Sequence, residues 1–445
     1  MKKVQILFII VLLLITNALN IFCQTKQDLI INTLMQQGRW FDVRDYFSLN
    51  KDSISEIYYL AAKSSLYTYF NKPDSANMNI EILLNSHKLE DNSSFNFAIL
   101  MMKNFIETQR YNEAIGLIND ILTHFGNVLP KSHKEALNSW VSICNLYKNN
   151  PYKVKYKYNE NNLLITIFEL PLVGIGVDCK INGVKEKTLL DTGTSLNRIS
   201  KEVADQIGIH TYLPDTIITT PGVKVLKGII DSVEIGNVKI YNCPVDITLG
   251  KPDFALNSEK KKRLFSFIDS VYNNYNFILG ISTMKLFGII NFDFLNRTIS
   301  FEQNAKEKQQ PSNMFIIDNL LYLNTTLNNQ PFTSMFDTGY SSGTFLNKEY
   351  YNKYKEYYNL KDDQQQEMHT YMQDRLDTLI YEKLNNVLLK SYNNSFTLKN
   401  VMVNLSKPFE YSSGYPVPDG IIGNDFLKML KFMRLDFTNM CITFE

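Results

Sequence analysis

The sequence predicts a multidomain α and β protein, in which an N-terminal α-helical hairpin solenoid precedes an all-β region of two similar halves with pseudo-twofold symmetry. Up to about residue 150, apolar residues recur at helical spacing. Beyond Pro151 they alternate with polar residues, which is typical of strands. The tripeptide Asp-Thr-Gly then occurs twice, at Asp191 and at Asp337, each time directly after an apolar run.

The surroundings of the two Asp-Thr-Gly tripeptides repeat as well. A hydrophobic-hydrophobic-glycine motif follows each one, with Gly280 coming 89 residues after Asp191 and Gly423 coming 86 residues after Asp337. Ten-residue segments that start 13 residues after each glycine are identical at six positions. These segments are 293–302 and 436–445. A fixed period of this kind indicates an internal duplication.

Composition sets limits on the function. The 445 residues are 44% hydrophobic and 20% charged, which suits two or three globular domains with a sizeable core. A net charge of +1, with both signs interspersed, predicts no nucleic-acid partner. The five histidines lack ligand spacing, so we predict neither a metal nor another cofactor.

Residues 1–23 are predicted to be a secretory signal peptide. Two lysines precede an apolar stretch from Val4 to Ile15, which is shorter than a membrane span. Cleavage before Gln24 is one outcome, and lipidation of Cys23 is the other, although Phe22 stands where a lipobox has a small residue. The mature chain is therefore expected in the periplasm or outside the cell.

The remaining four cysteines are too sparse for a disulfide scaffold. They are Cys144, Cys179, Cys243 and Cys441. Cys179 and Cys243 fall in predicted strands of the same half, so either one bridge or buried free thiols fit the sequence.

Residues 24–150 are predicted to form the helical domain. Ser53 and Glu56 have the spacing of a capping box at a helix start. Helix starts near Trp40, Ser75 and Tyr111 are 35 and 36 residues apart, which resembles the tetratricopeptide period. Such a solenoid either offers a groove to a protein partner or serves only to pack and space the domains.

The all-β region is predicted to consist of residues 151–302 and 314–445, joined by a polar linker at 303–313. In the first half, Asn182 and Gly183 predict a two-residue hairpin turn, because both residues readily take the positive φ angles that such a turn needs. Asn328 and Asn329 occupy the same place in the second half.

Each half resembles a retropepsin-type aspartic protease unit, with the Asp-Thr-Gly loop, the later glycine-ended loop and a short helix before the final strand. The resemblance runs from about Tyr152 to Glu445. Two such units in one chain resemble the pepsin plan, which implies a bilobal all-β acid-protease fold and a monomer with an intramolecular pseudo-dimer.

This resemblance implies an aspartic endopeptidase that cleaves a peptide or protein substrate in extended conformation. Asp191 and Asp337 would share one proton and activate a water molecule between them. The supporting loops would be Thr192, Gly193 and Thr194 with Thr338, Gly339 and Tyr340, and beneath them Ile278, Leu279 and Gly280 with Ile421, Ile422 and Gly423. The tip of a substrate-covering flap would be Thr219, Thr220, Pro221 and Gly222.

One residue departs from the family pattern. Tyr340 stands where these proteases usually have Ser, Thr or Ala; it would crowd the aspartates, point outward, or lower one carboxyl pKa through its phenol group. An alternative function is therefore a catalytically inactive peptide-binding protein that uses the bilobal cleft and the solenoid. A further alternative is an unrelated β domain in which Asp-Thr-Gly is only a turn and the two aspartates lie far apart.

Overall fold

The computed structural model describes residues 25–86, 89, 91–157, 163–167, 174–213, 217–220, 223–249, 275–303, 310–340, 343–358, 365–372, 375–406 and 416–445. The predicted signal peptide lies outside these residues. The described chain divides into two compact units, one ending at Pro151 and one beginning at Tyr152, with Pro416 and Val417 grouped with the first.

The first unit contains seven α-helices among the described residues. They are α1 (Lys26–Gln36), α2 (Trp40–Asn50), α3 (Glu56–Tyr69), α4 (Pro73–Asn85), α5 (Asp91–Glu107), α6 (Tyr111–Phe125) and α7 (Lys131–Asn149). Two begin at the predicted Trp40 and Tyr111, whereas α4 begins at Pro73, where proline suits the first helical turn. Within the described part of the chain, no helix combines the length and the apolar character that crossing a bilayer requires.

The predicted capping box at Ser53 is wrong. Ser53 ends a short 3-10 turn, and α3 begins after Ser55, whose side chain makes no cap. The Ser55 N–H instead donates to Asp28 Oδ1 at 2.8 Å. The same buried carboxylate closes a capping box with Thr25 at the start of α1, so one side chain serves two helix starts.

The second unit is rich in β-structure and contains short helices. Strands of the first half are β1 (Lys153–Tyr156), β2 (Leu163–Ile167), β3 (Ile175–Ile181), β4 (Val184–Leu190), β5 (Arg198–Ser200), β6 (Thr211–Tyr212), β7 (Ile217–Thr220), β8 (Val223–Ile235), β9 (Val238–Leu249), β10 (Phe277–Leu279), β11 (Ile289–Asp293) and β12 (Thr298–Glu302). Its helices are α8 (Lys201–Gln206) and α9 (Ile281–Met284).

The second half follows the same plan. Its strands are β13 (Met314–Ile317), β14 (Leu320–Leu327), β15 (Gln330–Phe336), β16 (Phe345–Leu346), β17 (Gln366–Met372), β18 (Arg375–Leu384), β19 (Val387–Ser391), β20 (Asn394–Leu398), β21 (Val401–Asn404), β22 (Gly420–Ile422), β23 (Phe432–Asp436) and β24 (Cys441–Phe444). Its helices are α10 (Lys348–Tyr354) and α11 (Asn424–Leu427).

Strand pairing repeats between the halves. In the first half the order β3-β4-β10-β5-β9-β8 combines parallel pairs, β4 with β10 and β5 with β9, with antiparallel pairs. In the second half β14-β15-β22-β16-β21-β18 has parallel pairs at the same places. The strand before each Asp-Thr-Gly is thereby held beside the strand that leads to its partner glycine.

The two hairpin turns before the Asp-Thr-Gly strands also match, down to individual hydrogen bonds. Asn182 and Gly183 have φ values of 50° and 86°, and Asn328 and Asn329 have 47° and 65°, as the predicted turns require. Asn182 exchanges hydrogen bonds of 2.9 and 3.0 Å with the backbone of Ser232. Asn328 makes the same two contacts, both 2.8 Å, with Leu388.

The strands that lead into the two ten-residue repeated segments join the halves. β11 pairs antiparallel with β23, with Asn291 opposite Arg434 in the middle. After each strand the side chain of an aspartate, Asp293 or Asp436, accepts hydrogen bonds from the asparagine three residues later, at 2.7–3.0 Å. Identical local bonding explains why these positions share their residues.

Two sequence expectations concern the thiols and the linker. All four described cysteines are free and buried, so Cys179 and Cys243 form no bridge. Of the linker, residues 304–309 lie outside the described chain. Asn313, which was assigned to the linker, instead exchanges hydrogen bonds of 2.7 and 2.8 Å with Ile442, so the last linker residues belong to the second half.

Candidate active site

The two Asp-Thr-Gly loops follow β4 and β15 and are fixed from below by the glycine-ended loops. The Asp191 N–H donates to Leu279 O at 3.1 Å, and the Asp337 N–H donates to Ile422 O at 3.0 Å. The four apolar side chains of these lower loops are buried. They are Ile278, Leu279, Ile421 and Ile422, and the glycines after them, Gly280 and Gly423, pack directly against the carbonyl groups of Thr194 and Tyr340.

Thr192 and Thr338 connect the two loops through buried hydrogen bonds. Each backbone N–H donates to the other hydroxyl, at 3.0 and 2.9 Å. Each hydroxyl also donates to a carbonyl across the boundary between the halves, Thr192 to Phe336 O at 2.7 Å and Thr338 to Leu190 O at 2.8 Å. Since the partners are 144 to 148 residues apart, these bonds bring the two aspartates together.

The glycines of the tripeptides lie against the opposite aspartates. A methyl group on Gly339 would be 2.6–2.7 Å from the carboxyl atoms of Asp191, and one on Gly193 would be closer still to those of Asp337. Neither glycine has the left-handed backbone that only glycine tolerates well. Glycine is therefore required here for close approach to the other carboxylate, and not for the turn.

The two carboxyl groups differ in their surroundings. Asp191 accepts hydrogen bonds from the Gly193 N–H at 2.8 Å and from the Thr194 hydroxyl at 2.6 Å. Asp337 accepts one from the Gly339 N–H at 2.9 Å. Burial of the Asp337 carboxyl, followed by the negative charge of Asp191, raises the pKa of Asp337 well above its usual range. The proton shared by this pair is thus expected on Asp337.

Tyr340 is buried, with 7% of its surface exposed, and its ring lies over Gly423. The ring therefore does not point to solvent. The backbone N–H of Tyr340 donates to Asp337 and lowers the pKa of that carboxyl group. Burial and the charge of Asp191 outweigh this effect, so the pKa of Asp337 is raised. In the first half the equivalent Thr194 contributes a hydroxyl, so the residue after the tripeptide makes the two halves of the site unequal.

Asn197 is a supporting residue that sequence reasoning missed. Its buried side chain accepts the Gly280 N–H at 3.1 Å and donates to Thr283 Oγ1 at 2.6 Å and to Pro244 O at 2.8 Å. It thereby ties the first glycine-ended loop to β9. Its position six residues after Asp191 was visible in the sequence, but its partners lie 46 to 86 residues further along the chain.

A hairpin stands at the predicted flap of the first half. There β7 pairs with β8 and carries the backbone of Thr219 and Thr220, while Pro221 and Gly222 lie outside the described residues. In the second half, where the sequence predicted no flap tip, β17 pairs with β18, with Met372 opposite Arg375. Among the described residues, no cluster of His, Cys, Asp and Glu could hold a metal ion.

Replacing Thr192 with valine is expected to lower the free energy of unfolding by about 2–4 kcal/mol, because the change keeps the shape but strands the Thr338 N–H and the Phe336 carbonyl in a buried place. Scanning calorimetry measures the effect. Thr123→Val is the matched control, since its exposed hydroxyl donates only to Asn119 O in the preceding turn of α6. Equal melting temperatures for the Thr192 variant and the wild type would contradict this role.

Comparison with known proteins finds a matching family in the first half. Residues 177–256 match a family described as "gag-polyprotein putative aspartyl protease", a stretch that contains Asp191 and the first flap hairpin. This stretch of the first half is therefore similar to putative aspartyl proteases. No curated protein matches the sequence.

A solved structure is similar to part of the chain. It is the crystal structure of a retropepsin-like aspartic protease from Rickettsia conorii, with 20% sequence identity and a TM-score of 0.21. The similarity covers 34% of this chain and 92% of the other. A TM-score of this size does not by itself define a fold.

Proposed function

We propose that the protein is an aspartic-type endopeptidase, with a bilobal acid-protease fold in which both halves contribute to one active site. The observation that carries the proposal is the mutual approach of the two loops: each aspartate lies against the glycine of the other tripeptide, and the threonines between them hydrogen-bond. An unrelated β domain would have no reason to bring two such loops together. The second half is, in this proposal, a protease unit like the first.

The chemistry follows from the unequal carboxyl groups. Ionised Asp191 takes a proton from a water molecule, whose oxygen forms a bond to the peptide carbonyl carbon, while protonated Asp337 gives its proton to the carbonyl oxygen. Asp191 then gives the proton it took from water to the amine nitrogen as the C–N bond breaks, and Asp337 takes back a proton from a hydroxyl of the tetrahedral intermediate as the new carboxyl group forms. No covalent intermediate with the protein is required.

The flap hairpins supply the expected substrate class. In the strand order, two strands separate each flap hairpin from the strand that leads to the glycine-ended loop, β9 and β5 in the first half and β21 and β16 in the second. A hairpin edge pairs with an extended peptide through backbone hydrogen bonds. The substrate is therefore a peptide or a protein segment in extended conformation. The flaps close over it and exclude water.

The test is cleavage of a denatured protein or a peptide library by the purified mature chain and by Asp191→Asn. Activity is expected at acid pH, where Asp337 is protonated, and is expected to fall as the pH rises through the raised pKa of Asp337. The Asp191 variant should lose hydrolysis because it lacks the base. Unchanged hydrolysis by this variant would refute the proposal.

A second candidate, a peptide-binding protein without catalytic activity, is favoured by Tyr340. Tyr340 stands at the chain position where the first half has Thr194, whose hydroxyl donates to Asp191, so the second half departs from the family pattern three residues after its aspartate. This function predicts that the chain binds extended peptides after both aspartates are replaced and that mass spectrometry detects no cleavage product. The helical unit would then be a further binding surface for the partner.

A further inference from the structure

Five charged residues of the first half lie in one register row across neighbouring strands. Lys155 of β1 is opposite Lys239 of β9, which is opposite Glu234 of β8. Glu234 is opposite Lys180 of β3, which is opposite Lys185 of β4. Residues that are opposite each other in a sheet point to the same face, so this row places four lysines and one glutamate side by side over about 19 Å.

More charged residues share the face of this row. Side chains alternate along a strand, so residues two positions away from the row point to the same side. The surface that results, which we call the lysine face, consists of the row together with Lys153, Lys157, Asp178 and Lys187. Seven lysines therefore lie there with two acidic residues, and Asp231 of β8 is exposed beside them.

Most of these lysines have no acidic partner. The carboxylate of Glu234 pairs with Lys239 at 2.7 Å and with Lys157 at 3.4 Å. The other five lysines of the face are exposed, and none of them forms an ion pair with another residue that the structure describes. The face therefore has an excess of positive charge, which the net charge of +1 for the whole chain conceals.

The pairing within the row opposes stability. Lys155 is directly opposite Lys239, and Lys180 is directly opposite Lys185; like charges in such pairs are destabilising. The ring of Tyr241 holds the first pair together, because the Nζ atoms of Lys155 and Lys239 lie 5.3 and 5.1 Å from its centre. A surface that serves only solubility usually mixes the two signs of charge.

The second half provides an internal comparison. Its hairpin turn at Asn328 makes the same backbone contacts as the turn at Asn182, which aligns the two sheets residue by residue. The positions of Lys239, Glu234, Lys180 and Lys185 are there taken by Ser395, Lys390, Thr326 and Pro331. The single lysine of that row, Lys390, donates to Asn329 Oδ1 at 2.7 Å. The fold therefore does not require the lysines of the first half.

We propose that the lysine face docks the protein on the anionic headgroups of a phospholipid membrane. The ammonium group is a point charge that needs no fixed partner geometry, whereas recognition of one particular carboxylate favours the fork of arginine. The charges also spread in two directions, about 19 Å across the strands and about 13 Å along β1. An acidic peptide follows a single line, but a membrane offers negative charge in two dimensions.

This inference is independent of the proposed peptidase activity, because the lysine face contains no residue of the Asp-Thr-Gly loops or of the loops beneath them. Each lysine close to an anionic membrane strengthens binding by about fivefold. The attraction falls off within about 8 Å at physiological salt, so only lysines that reach the headgroups contribute. A peptidase held in this way would act close to the membrane surface.

Sedimentation with vesicles tests the inference, using the chain that begins at Gln24 and so lacks Cys23. Binding to vesicles that contain phosphatidylglycerol is expected to be about 10-fold or more tighter than binding to phosphatidylcholine alone, and to be lost at high salt. The triple variant Lys155→Gln, Lys180→Gln, Lys185→Gln should bind the anionic vesicles about 100-fold more weakly. Arginine at the same three positions should restore binding, because it keeps the charge.

A second triple variant is the matched control. Lys353→Gln, Lys355→Gln and Lys399→Gln remove the same charge from exposed positions of the second half and should bind like the wild type. Equal binding to both kinds of vesicle would overturn the inference, and so would an equal loss in the two triple variants, since net charge alone would then explain it. Binding of polyglutamate without binding of anionic vesicles would assign the lysine face to an acidic protein and would also overturn it.

Discussion

Asp337→Asn is expected to lower kcat for peptide hydrolysis by about 10³-fold or more, because the amide cannot deliver the proton that the carbonyl oxygen receives. Asparagine keeps the size of the side chain and one oxygen for the Gly339 N–H, which donates to Asp337 Oδ1 at 2.9 Å. The cleft should therefore still bind peptides. Stopped assays with a peptide that the wild type cleaves, together with binding measured by calorimetry, separate the two effects.

The same substitution is expected to stabilise the protein at neutral pH. The pKa of Asp337 is raised in the folded state, so its contribution to stability is fully present below the unfolded pKa and is lost as the pH rises through the folded one. Asparagine does not ionise and avoids that loss. The melting temperature of Asp337→Asn should exceed that of the wild type at pH 7, and the difference should shrink toward pH 3.

The combination of the two results is diagnostic. If Asp337 served only packing, its replacement would make the protein less stable and would leave the pH dependence of the melting temperature unchanged. A catalytic pair of carboxyl groups would give lower activity together with a higher melting temperature. Burying one carboxyl group beside another serves the reaction but makes the folded protein less stable, so removing one of them reverses both effects. A variant as active as the wild type, or one whose melting temperature falls at pH 7, would contradict the role of Asp337.

Gly193→Ala is expected to abolish activity and to lower the free energy of unfolding by about 3 kcal/mol or more. Its new methyl group would overlap the carboxyl of Asp337, and the loop cannot move away because Thr192 is tied to the second half. Circular dichroism during thermal unfolding measures the loss of stability, and peptide hydrolysis measures the loss of function.

Gly116→Ala is the matched control for this substitution. Gly116 lies within α6, and a methyl group added there would have no atom within 4 Å apart from its chain neighbours and the backbone of its own helix. Alanine favours a helix over glycine by up to about 1 kcal/mol, so this variant should be as stable as the wild type or more stable. If both glycine variants behaved alike, the close approach between loop and carboxyl would not be the reason for Gly193.

Features encoded by adjacent residues could be predicted from the sequence. The two-residue turns at Asn182 and Asn328 have the predicted positive φ angles, and the buried apolar pairs before Gly280 and Gly423 lie under the loops as expected. Periodic spacing also located the starts of α2 and α6, at Trp40 and Tyr111. In each case the residues that determine the feature lie within one short stretch of the chain.

Features that depend on distant residues could not be predicted. The cap of α3 is the carboxylate of Asp28, which lies 27 residues before Ser55, and so the local Ser53 pattern was misleading. Asn197 gained its role from partners that only the folded sheet brings near. The requirement for Gly193 came from a carboxyl group in the other half, which no local pattern reveals.

The pairing of β11 with β23 has a consequence for how the site behaves on dilution. Because one polypeptide supplies both strands, the encounter that forms the site is a first-order event within the chain, and its probability does not depend on how many other molecules are present. Specific activity should then stay constant down to nanomolar protein, where a site built from two separate chains would dissociate.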